Sequence, residues 1–429
     1  MELDIHLNGA WVPCAVVELL HGSPGTRHGH VRLKYEADYA AQHLRATDYR
    51  ALTVRAPVDF SDRTLSHWPS FLIDLLPQGA ARRRIESIVT AELDEWGLLL
   101  RGAINPVGNL RVRPAQEPVQ HLHTGFRLEE MAARGDAFVD YAHQLGATVA
   151  GATDTQGDAP KFWVVQDEAG GWHPDSGSLG FPVRRYALLK FPVPEAGANS
   201  ELILRHEAAY QRVAQRLGLR VTPALPEFTN GALLIPRFDR RYAHGQEVRL
   251  GVESLYSATG VIDSAATPLG HHDALIALSR CLTDFDVEVV EYMKRDLLNI
   301  AIGNRDNHGR NTAVLKETDG KMLLAPLYDL GPAFLDARNI IRVMRWDGER
   351  PEGRDWNRIL ENLATRFEEN GVQMSTWREL IAAMRAFADE LEQLPDVMAD
   401  CGVDQPVIAR RATDIQQLRD ELRAIRVSQ

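Results

Sequence analysis

The chain has 429 residues, of which 45% are hydrophobic, and it carries a formal net charge of -11 at pH 7. This length allows roughly two or three domains with sizeable cores, and the apolar content argues against a disordered chain. The net negative charge argues against a nucleic-acid footprint over the whole surface, because phosphate binding requires clustered Lys and Arg.

Two further features concern the cellular compartment. Cys14, Cys281 and Cys401 are far apart and have no metal-ligand spacing, which favours reduced, buried thiols. The first residues lack the basic and apolar regions of a leader, and no apolar run approaches the ~18 residues that a membrane span needs. We therefore expect a soluble cytoplasmic protein that does not bind a membrane.

The first 115 or so residues mix strand and helix patterns. Short apolar runs predict strands at 15–20 and 51–54, and apolar residues at helical spacing predict a helix over 68–88 that must accommodate a break at Pro77. Residues 113–130 are polar and contain Pro114 and Pro118, which is typical of a boundary. We predict a small α+β subdomain over residues 1–135.

The rest of the chain changes from strand patterns to helix patterns. Strands are predicted at 162–165, 186–191 and 232–235, with a helix that begins near Ser200 and stops at Gly218. From Glu253 onward helical patterns dominate, with clear segments at 289–302, 377–394 and 413–425. This order predicts an α+β, two-lobe protein-kinase-like fold, with a strand-rich N-terminal lobe that includes the small subdomain, its nucleotide-binding core at 136–245 and a mainly helical C-terminal lobe at 246–429.

The most specific pattern is a polar loop that follows the apolar helical run 289–302. Asp306, Asn311 and Asp329 have the order of a phosphoryl-transfer site, in which one Asp accepts the substrate hydroxyl proton and a later Asn and Asp hold Mg²⁺. A polar turn is the plain alternative, since Asn, Asp and Gly dominate turns for backbone reasons. The position of this loop between the helix and a predicted buried strand at 322–327 favours a catalytic role.

Other parts of a nucleotide site are predicted more weakly. Lys190, at the end of an apolar strand, could contact phosphates, although a lone Lys at a strand end is more often a snorkelling edge residue. Glu207 or Glu201 of the next helix could pair with it. The polar loop 153–161 could donate backbone N–H groups to phosphates, or it could be an ordinary turn. Pro236 and Phe238 could pair with an adenine edge through a carbonyl and an N–H group.

These parts together resemble the HipA family of serine/threonine kinases, which are toxins of bacterial toxin–antitoxin pairs. The resemblance covers nearly the whole chain. It is carried by the following stretches: 7–11, 75–79 with Arg82 and Arg83, 157–161, 188–192, 237–240, 303–311 and Tyr328-Asp329.

The resemblance implies a role for each matching residue. Asp306 is the implied catalytic base, Asn311 and Asp329 are the implied Mg²⁺ ligands, and Lys190 is the implied ATP-phosphate lysine. The remaining implied nucleotide contacts are Gln156, Gly157, Asp158, Ala159, Pro160, Lys161, Pro236, Arg237, Phe238, His308, Gly309, Arg310 and Tyr328. The implied cofactors are ATP and Mg²⁺.

The resemblance also implies partners and a mode of regulation. The implied substrate is a protein, such as an aminoacyl-tRNA synthetase, and the implied inhibitor is a small DNA-binding antitoxin like HipB. Direct nucleic-acid binding is not expected, because the chain has no helix-turn-helix pattern. Where many members carry an autophosphorylated serine this chain has Asp154, flanked by Thr153 and Thr155, and either threonine could replace that serine.

Two alternatives use the same residues differently. Small-molecule and lipid kinases of the aminoglycoside and phosphoinositide phosphotransferase type share the Asp-x-His-x-x-Asn arrangement, but the N-terminal Leu-Pro-Gln-Gly-x-x-Arg-Arg stretch favours the HipA family. A non-catalytic nucleotide-binding regulator is the other alternative. Retention of Asp306, Asn311, Asp329 and Lys190 together weighs against it.

Overall fold

The structure, a computed structural model, describes residues 1–88, 93–103, 105–114, 125–134, 161–175, 181–192, 194–350 and 353–426. The chain forms two compact units. The first comprises residues 1–193, 226–262 and 313–322, and the second comprises residues 194–225, 263–312 and 323–429. The finer division at residues 135 and 245 stays a prediction.

The first unit begins with an antiparallel sheet of five strands among the described residues, in the order β4-β3-β2-β1-β5. Its strands are β1 (Glu2–Leu7), β2 (Ala10–Leu19), β3 (Val31–Tyr35), β4 (Arg63–Leu65) and β5 (Leu110–Val112). Asn8 and Gly9 form the two-residue turn between β1 and β2, and both have a positive φ, of 52° and 82°. An Asn-Gly pair fits this turn because both positions require the left-handed region.

The helices of this part are short. Those before residue 103 contribute side chains to the core of this sheet, whereas the helix at Leu128–Arg134 packs on the second sheet described below. They are α1 (Ala37–His43), α2 (Phe71–Leu75), α3 (Gly79–Ile88), α4 (Glu95–Gly102) and α5 (Leu128–Arg134). Alternate residues of β3 are buried, and with Trp68, Phe71 and Leu72 they contribute to one apolar cluster. The prediction of a single helix over 68–88 is wrong in extent. The chain forms two helices there, α2 and α3, which are separated by a break that contains Pro77.

The strand predicted at 51–54 is also wrong. Its backbone groups are satisfied by remote side chains and not by a neighbouring strand: Leu52 N–H donates to the Tyr35 hydroxyl, and Val54 N–H donates to the Glu253 carboxylate. The strand predicted at 15–20 is confirmed within β2.

The second sheet of the first unit has the order β7-β6-β8-β10-β9. Its strands are β6 (Lys161–Asp167), β7 (Trp172–Pro174), β8 (Val183–Lys190), β9 (Glu227–Thr229) and β10 (Ala232–Pro236). The strands predicted at 162–165, 186–191 and 232–235 are confirmed, while β7 has too few apolar residues to be predicted. Lys161 of β6 lies directly opposite Lys190 of β8 in the antiparallel register.

The first unit is completed by two antiparallel pairs and a short helix. β11 (Arg240–Ala243) pairs with β12 (Gln246–Arg249), and β13 (Gly251–Ser254) pairs with β14 (Ala313–Lys316). Helix α7 (Leu255–Thr259) follows β13, and β15 (Met322–Leu324) begins at the last residue of the unit. The observed strand β15 therefore covers only the first half of the strand predicted at 322–327.

The second unit is mainly helical among the described residues. Its helices are α6 (Ser200–Arg216), α8 (His271–Leu278), α9 (Phe285–Ile302), α10 (Trp356–Glu369), α11 (Trp377–Asp400) and α12 (Gln405–Arg423). Helix α12 packs on α9 and α11, and the buried apolar side chains of these helices form the core. All four predicted helices are confirmed: α9 and α12 begin earlier than predicted, and α11 ends later than predicted. Within the described residues, no helix is long and apolar enough to cross a membrane.

Candidate active site

Helix α9 delivers the polar loop to its position. Asp284 caps its first turn by accepting a hydrogen bond from Val287 N–H. The helix ends at Gly303, whose φ of 74° lies in the left-handed region. A Cβ atom at Gly303 would lie 2.7 Å from Phe334 Cδ1 and 2.9 Å from the Arg411 guanidinium carbon. Glycine is therefore required here both by the backbone conformation and by the close packing.

The loop after Gly303 is shaped by its own asparagines. Asn304 N–H donates to Asn299 O at 2.9 Å, and the Asn304 amide also contacts the Asn299 side chain at 2.9 Å. Asp306 N–H then donates to Asn304 Oδ1 at 3.3 Å. These contacts hold the backbone next to Asp306 against the end of α9. The backbone position from which the Asp306 side chain extends is therefore fixed.

Asp306, His308 and Asn311 lie close together. The Asn311 amide nitrogen donates to Asp306 O at 2.8 Å, and Asn311 N–H donates to His308 O at 2.9 Å. Because its nitrogen is used within the loop, Asn311 keeps its amide oxygen for a ligand. Arg310 N–H donates to His308 Nδ1 at 3.3 Å, which assigns the His308 proton to Nε2. That nitrogen lies 3.4 Å from Asp306 Oδ1.

Asp329 is presented from a second segment of the same unit. Leu327 N–H donates to Arg220 O at 2.9 Å, Gln211 Nε2 donates to Leu327 O at 3.1 Å, and the Tyr328 hydroxyl donates to Arg310 O. These bonds fix the two residues before Asp329. Asp329 itself has a φ of 53°, a left-handed conformation that costs about 1 kcal/mol and that Asp adopts more readily than most residues other than glycine.

A small polar cavity joins these residues. It has a volume of about 30 Å³ and is lined by Asp306, Asn311, Leu327 and Tyr328, with further walls from α9. Such a volume holds only one or two water molecules. The two ends of the predicted site, the loop at 306–311 and the segment at 327–330, therefore meet at one place in the second unit.

Comparison with known proteins identifies the family of the chain. Residues 150–393, more than half of the chain, match the family model of the HipA-like C-terminal domain. The chain belongs to the HipA family of kinases. The resemblance stated from the sequence is thus confirmed.

Two individual relatives agree with the HipA assignment. A curated protein of Sinorhizobium fredii, named "Putative kinase Y4mE", is 32% identical over 165 residues, which span 36% of this chain and only 38% of that relative. HipA of Shewanella oneidensis, solved in a complex with HipB and its operator DNA, superposes with a TM-score of 0.64 at 17% identity, over 99% of this chain and 97% of its own. At this identity the superposition shows a shared fold.

The remaining predicted residues of this HipA-family chain lie in the first unit. Gln156, Gly157, Asp158, Ala159 and Pro160 lie outside the described residues, as do Thr153, Asp154 and Thr155. Lys161 is buried on β6, and its register partner Lys190 is partly buried on β8. The two lysines thus occupy adjacent backbone positions at one end of this sheet. The pairing of Lys190 with Glu207 would join the two units and stays a prediction.

The predicted adenine hinge contains a residue with a structural role. Arg237 N–H donates to Tyr186 O at 2.9 Å, which pairs the segment with β8. The Arg237 side chain is buried over the Trp163 ring at 3.6 Å and bonds to the Asp239 carboxylate at 2.6 Å. The side chain of Arg237 is thus committed to the protein interior. The predicted contacts of Pro236 C=O and Phe238 N–H with adenine stay predictions.

One residue of the site was missed by reasoning from the sequence. Asn307, next to Asp306, is buried, and its Oδ1 accepts hydrogen bonds from Val343 N–H at 2.9 Å and Met344 N–H at 3.3 Å. Its amide nitrogen donates to Met344 O at 2.9 Å. Asn307 therefore ties residues 343–344 to the catalytic loop, a role for which the sequence carries no signal beyond ordinary turn composition.

A buried charged cluster lies behind residues 342–346. The Asp296 carboxylate accepts from Arg342 at 2.7 Å and from Trp346 Nε1 at 2.8 Å. Burial alone would raise the pKa of Asp296, but Arg342 and His271 and the hydrogen bonds from Arg342 and Trp346 together lower that pKa to about 2. His271 stacks on Trp346, and burial lowers the pKa of His271 to about 4. The cluster thus combines an ionised carboxylate with a neutral imidazole.

Proposed function

We propose that the chain is a Mg²⁺- and ATP-dependent serine/threonine protein kinase with the two-lobe kinase-like fold. It transfers the γ-phosphate of ATP to a protein hydroxyl in the cytoplasm and thereby inhibits growth. The observation that carries the proposal is the cavity shared by Asp306, Asn311 and Tyr328, with Asp329 held beside Tyr328 in a left-handed conformation.

Asp306 has the position of the catalytic base in this proposal. Its carboxylate faces a polar cavity and lies 3.4 Å from His308 Nε2, so it can orient a hydroxyl and accept its proton during transfer. His308, with its proton on Nε2, can hold the carboxylate in position. Phosphoryl transfer requires little more from the protein than this orientation and stabilisation of the phosphate charge.

The donor atoms fit Mg²⁺ bound to ATP. Asn311 and Asp329 supply hard oxygen ligands, which Mg²⁺ prefers, and Mg²⁺ usually takes only one or two carboxylates plus phosphate oxygens. The described residues contain no group of three or more His, Cys, Asp or Glu side chains able to hold a metal by themselves. This agrees with a cation whose coordination is completed by phosphates. Bound Mg²⁺ would neutralise the phosphate charge that develops during transfer.

The end of the second sheet that carries two lysines is assigned to the phosphates of ATP. Lys190 and Lys161 are adjacent across β8 and β6, and we assign Lys190 to the phosphates, with Gln156–Pro160 as the phosphate loop. Pro236 and Phe238 are assigned to the adenine edge. Gly309 and Arg310 complete the nucleotide side of the catalytic loop.

The proposed partners are proteins. The Shewanella oneidensis HipA structure contains HipB and operator DNA, and we propose a similar DNA-binding antitoxin here, with DNA contacted through that partner. The proposed substrate is a translation component such as an aminoacyl-tRNA synthetase. Phosphorylation of Thr153 or Thr155 is the proposed counterpart of the serine switch of other members.

The proposal is tested by incubating purified wild-type protein and the Asp306→Asn variant with γ-labelled ATP, Mg²⁺ and a bacterial cytoplasmic lysate. A discrete labelled protein that only the wild type produces is the expected result. Label found only in small molecules would favour a metabolite kinase. No label in any fraction, with nucleotide binding intact, would favour a non-catalytic regulator. Equal labelling by the variant would remove Asp306 from the mechanism.

A further inference from the structure

The end of helix α9, from which the catalytic loop starts, is bonded to side chains of two other helices. The last four C=O groups of an α-helix have no partner within the helix. Here Arg411 of α12 donates from Nε to Ala301 O at 3.0 Å and from Nη2 to Ile300 O at 2.9 Å. The Tyr210 hydroxyl of α6 donates to Ile302 O at 3.3 Å. The backbone immediately before the catalytic loop is therefore fixed by α12 and α6.

The Arg411 guanidinium also contacts the segment that carries Asp329. Its central carbon lies 5.2 Å from the centre of the Phe334 ring, and Phe334 comes soon after Asp329 in the chain. The Gly303 backbone packs against both groups, because a Cβ atom there would lie 2.7 Å from Phe334 Cδ1 and 2.9 Å from the guanidinium carbon. One guanidinium therefore contacts both segments of the site, the end of the helix before Gly303 and the stretch after Asp329.

The Arg411 guanidinium is buried, and all three of its nitrogens are engaged. Arg411 is 6% exposed, and its Nη1 lies 2.5 Å from Asp414 Oδ2, one turn further along α12. Because the guanidinium is planar and presents its donors in a fixed fork, these contacts together define one orientation. Its positive charge also lies at the carboxyl end of α9, where the helix dipole favours a cation. Arg411 is thus a rigid link between elements of the second unit.

We propose that Arg411 is a positioning residue for phosphoryl transfer, which sets the spacing between the catalytic base Asp306 and the Mg²⁺ ligand Asp329. It acts through Gly303 and Phe334 rather than on the substrate. The inference rests on the proposed kinase function and adds a residue to it. A base and a metal ligand that lie on two separate segments work together only if their geometry is held within about 0.5 Å.

The test compares the wild type with Arg411→Met, which removes the charge and the donors at a similar length. The measured reaction is phosphate transfer to the lysate protein that the wild type labels. Turnover should fall about ten- to hundredfold, and the free Mg²⁺ concentration needed for half-maximal turnover should rise about tenfold. Binding gives a second readout: the rise in unfolding temperature with ADP and Mg²⁺ should be smaller in the variant, whereas the rise with ADP and EDTA should be equal.

Three further variants separate positioning from stability. Arg411→Lys keeps the positive charge and can donate to one of the two carbonyls, so it should recover part of the turnover and of the Mg²⁺ affinity. Asp284→Ala weakens the same helix at its other end and should lower the unfolding midpoint without changing turnover or Mg²⁺ dependence. Arg410→Met removes an exposed arginine at the neighbouring position and should behave like the wild type.

A milder variant keeps the proposal testable if Arg411→Met does not accumulate as folded protein. Phe334→Leu leaves the helix end bonded to Arg411 and removes only the aromatic face beside the guanidinium. It should raise the Mg²⁺ requirement about threefold, which is the size expected from the loss of one cation–π contact. An unchanged Mg²⁺ requirement in this variant would overturn the link between the two segments.

The outcomes separate this inference from the proposed function. Unchanged turnover and Mg²⁺ dependence in folded Arg411→Met, with only a lower unfolding midpoint, would overturn the positioning role and leave the kinase in place. A fall in turnover with an unchanged Mg²⁺ requirement and an unchanged effect of ADP would overturn the proposed control of the spacing. A wild type that labels no lysate protein would overturn the proposed function itself, and the inference with it.

Discussion

Two charged segments, each following a buried element, have similar sequences but different environments. In the first unit, residues 237–240 (Arg-Phe-Asp-Arg) follow β10, and Arg237, Asp239 and Arg240 bond to one another in the interior. In the second unit, residues 303–311 follow α9, and Asp306 and Asn311 line a cavity. Charge density alone does not distinguish a structural cluster from a catalytic one. The difference lies in what surrounds each carboxylate: Asp239 bonds to two buried arginines, whereas Asp306 lies beside His308 Nε2 and lines a cavity.

The largest effect is expected at the cavity. Asp306→Asn removes the proposed base, so turnover should fall about 10²–10⁴-fold. The free energy of unfolding should change by no more than about 0.5 kcal/mol, because the amide has the shape of the carboxylate and residue 306 is only partly buried. Steady-state phosphotransfer and chemical denaturation measure the two quantities. Asp319→Asn, in an exposed turn, is the control. Wild-type turnover in Asp306→Asn would contradict the assignment.

The reverse pattern is expected for the buried cluster. Asp239 accepts hydrogen bonds from Arg237 at 2.6 Å and from Gly108 N–H at 2.9 Å. Although burial would raise the pKa of Asp239, the two arginines lower it below its usual range. Asp239→Ala leaves buried guanidinium groups without this partner and should cost about 3–5 kcal/mol of unfolding free energy.

The measurement for Asp239→Ala is the midpoint of chemical denaturation, with Asp319→Ala as the surface control. A midpoint equal to that of the wild type would show that the cluster does not stabilise the fold. If the variant does not accumulate as folded protein, Asp239→Asn, which keeps one acceptor oxygen for Gly108 N–H, should give an intermediate loss and keeps the comparison measurable.

The same distinction explains what could be predicted from the sequence. The strands at 162–165, 186–191 and 232–235 and the helix at 289–302 were predictable because burial imposes an apolar pattern on them. The strand predicted at 51–54 does not form, because the backbone there bonds to the side chains of Tyr35 and Glu253, and Glu253 is about 200 residues away in the chain.

The site divides in a similar way. The spacing of Asp306, Asn311 and Asp329 follows from the chemistry of phosphoryl transfer, so the sequence carries it. The role of Asn307 depends on where residues 343–344 lie, and these residues come 36 positions later in the chain. The sequence around Asn307 does not predict where that distant segment lies. Likewise, nothing in the sequence says that the Arg237 side chain is covered by Trp163.

Acid should weaken both regions, and by a similar mechanism. Burial and neighbouring arginines lower the pKa of His6 to about 3 in the first unit, and burial lowers the pKa of His271 to about 4 in the second. His271 Nε2 lies 3.1 Å from Arg342 and must be unprotonated to accept its hydrogen bond, Nδ1 lies 2.8 Å from the Tyr292 hydroxyl, and Asp296 is 3.5 Å away. Protonation would break the bond from Arg342.

The sign of the pH effect follows from these values. A folded-state pKa below the ordinary 6.5 means that the unfolded chain binds the proton more readily, so stability is present above pH 6.5 and is lost as the pH falls towards 4. Between pH 7 and 4.5, wild-type protein should lose about 2 kcal/mol more than His271→Gln. Urea denaturation across this range measures the loss. Exposed His21→Gln should behave like the wild type, and an identical pH profile for His271→Gln would contradict the prediction.

The smallest effect is expected at the far end of the helix that delivers the catalytic loop. Asp284 caps α9 through Val287 N–H at 3.2 Å, and its loss should cost about 1 kcal/mol. The 18 residues of α9 place this cap about 27 Å from Gly303 along the helix axis. Because the loop geometry is set locally by Gly303 and Asn304, Asp284→Ala should lower the unfolding free energy without changing turnover. A parallel fall in turnover would show instead that the catalytic geometry depends on the whole helix. The contrast between the buried structural charges and the half-buried catalytic carboxylate would then hold only for residues in direct contact with the cavity.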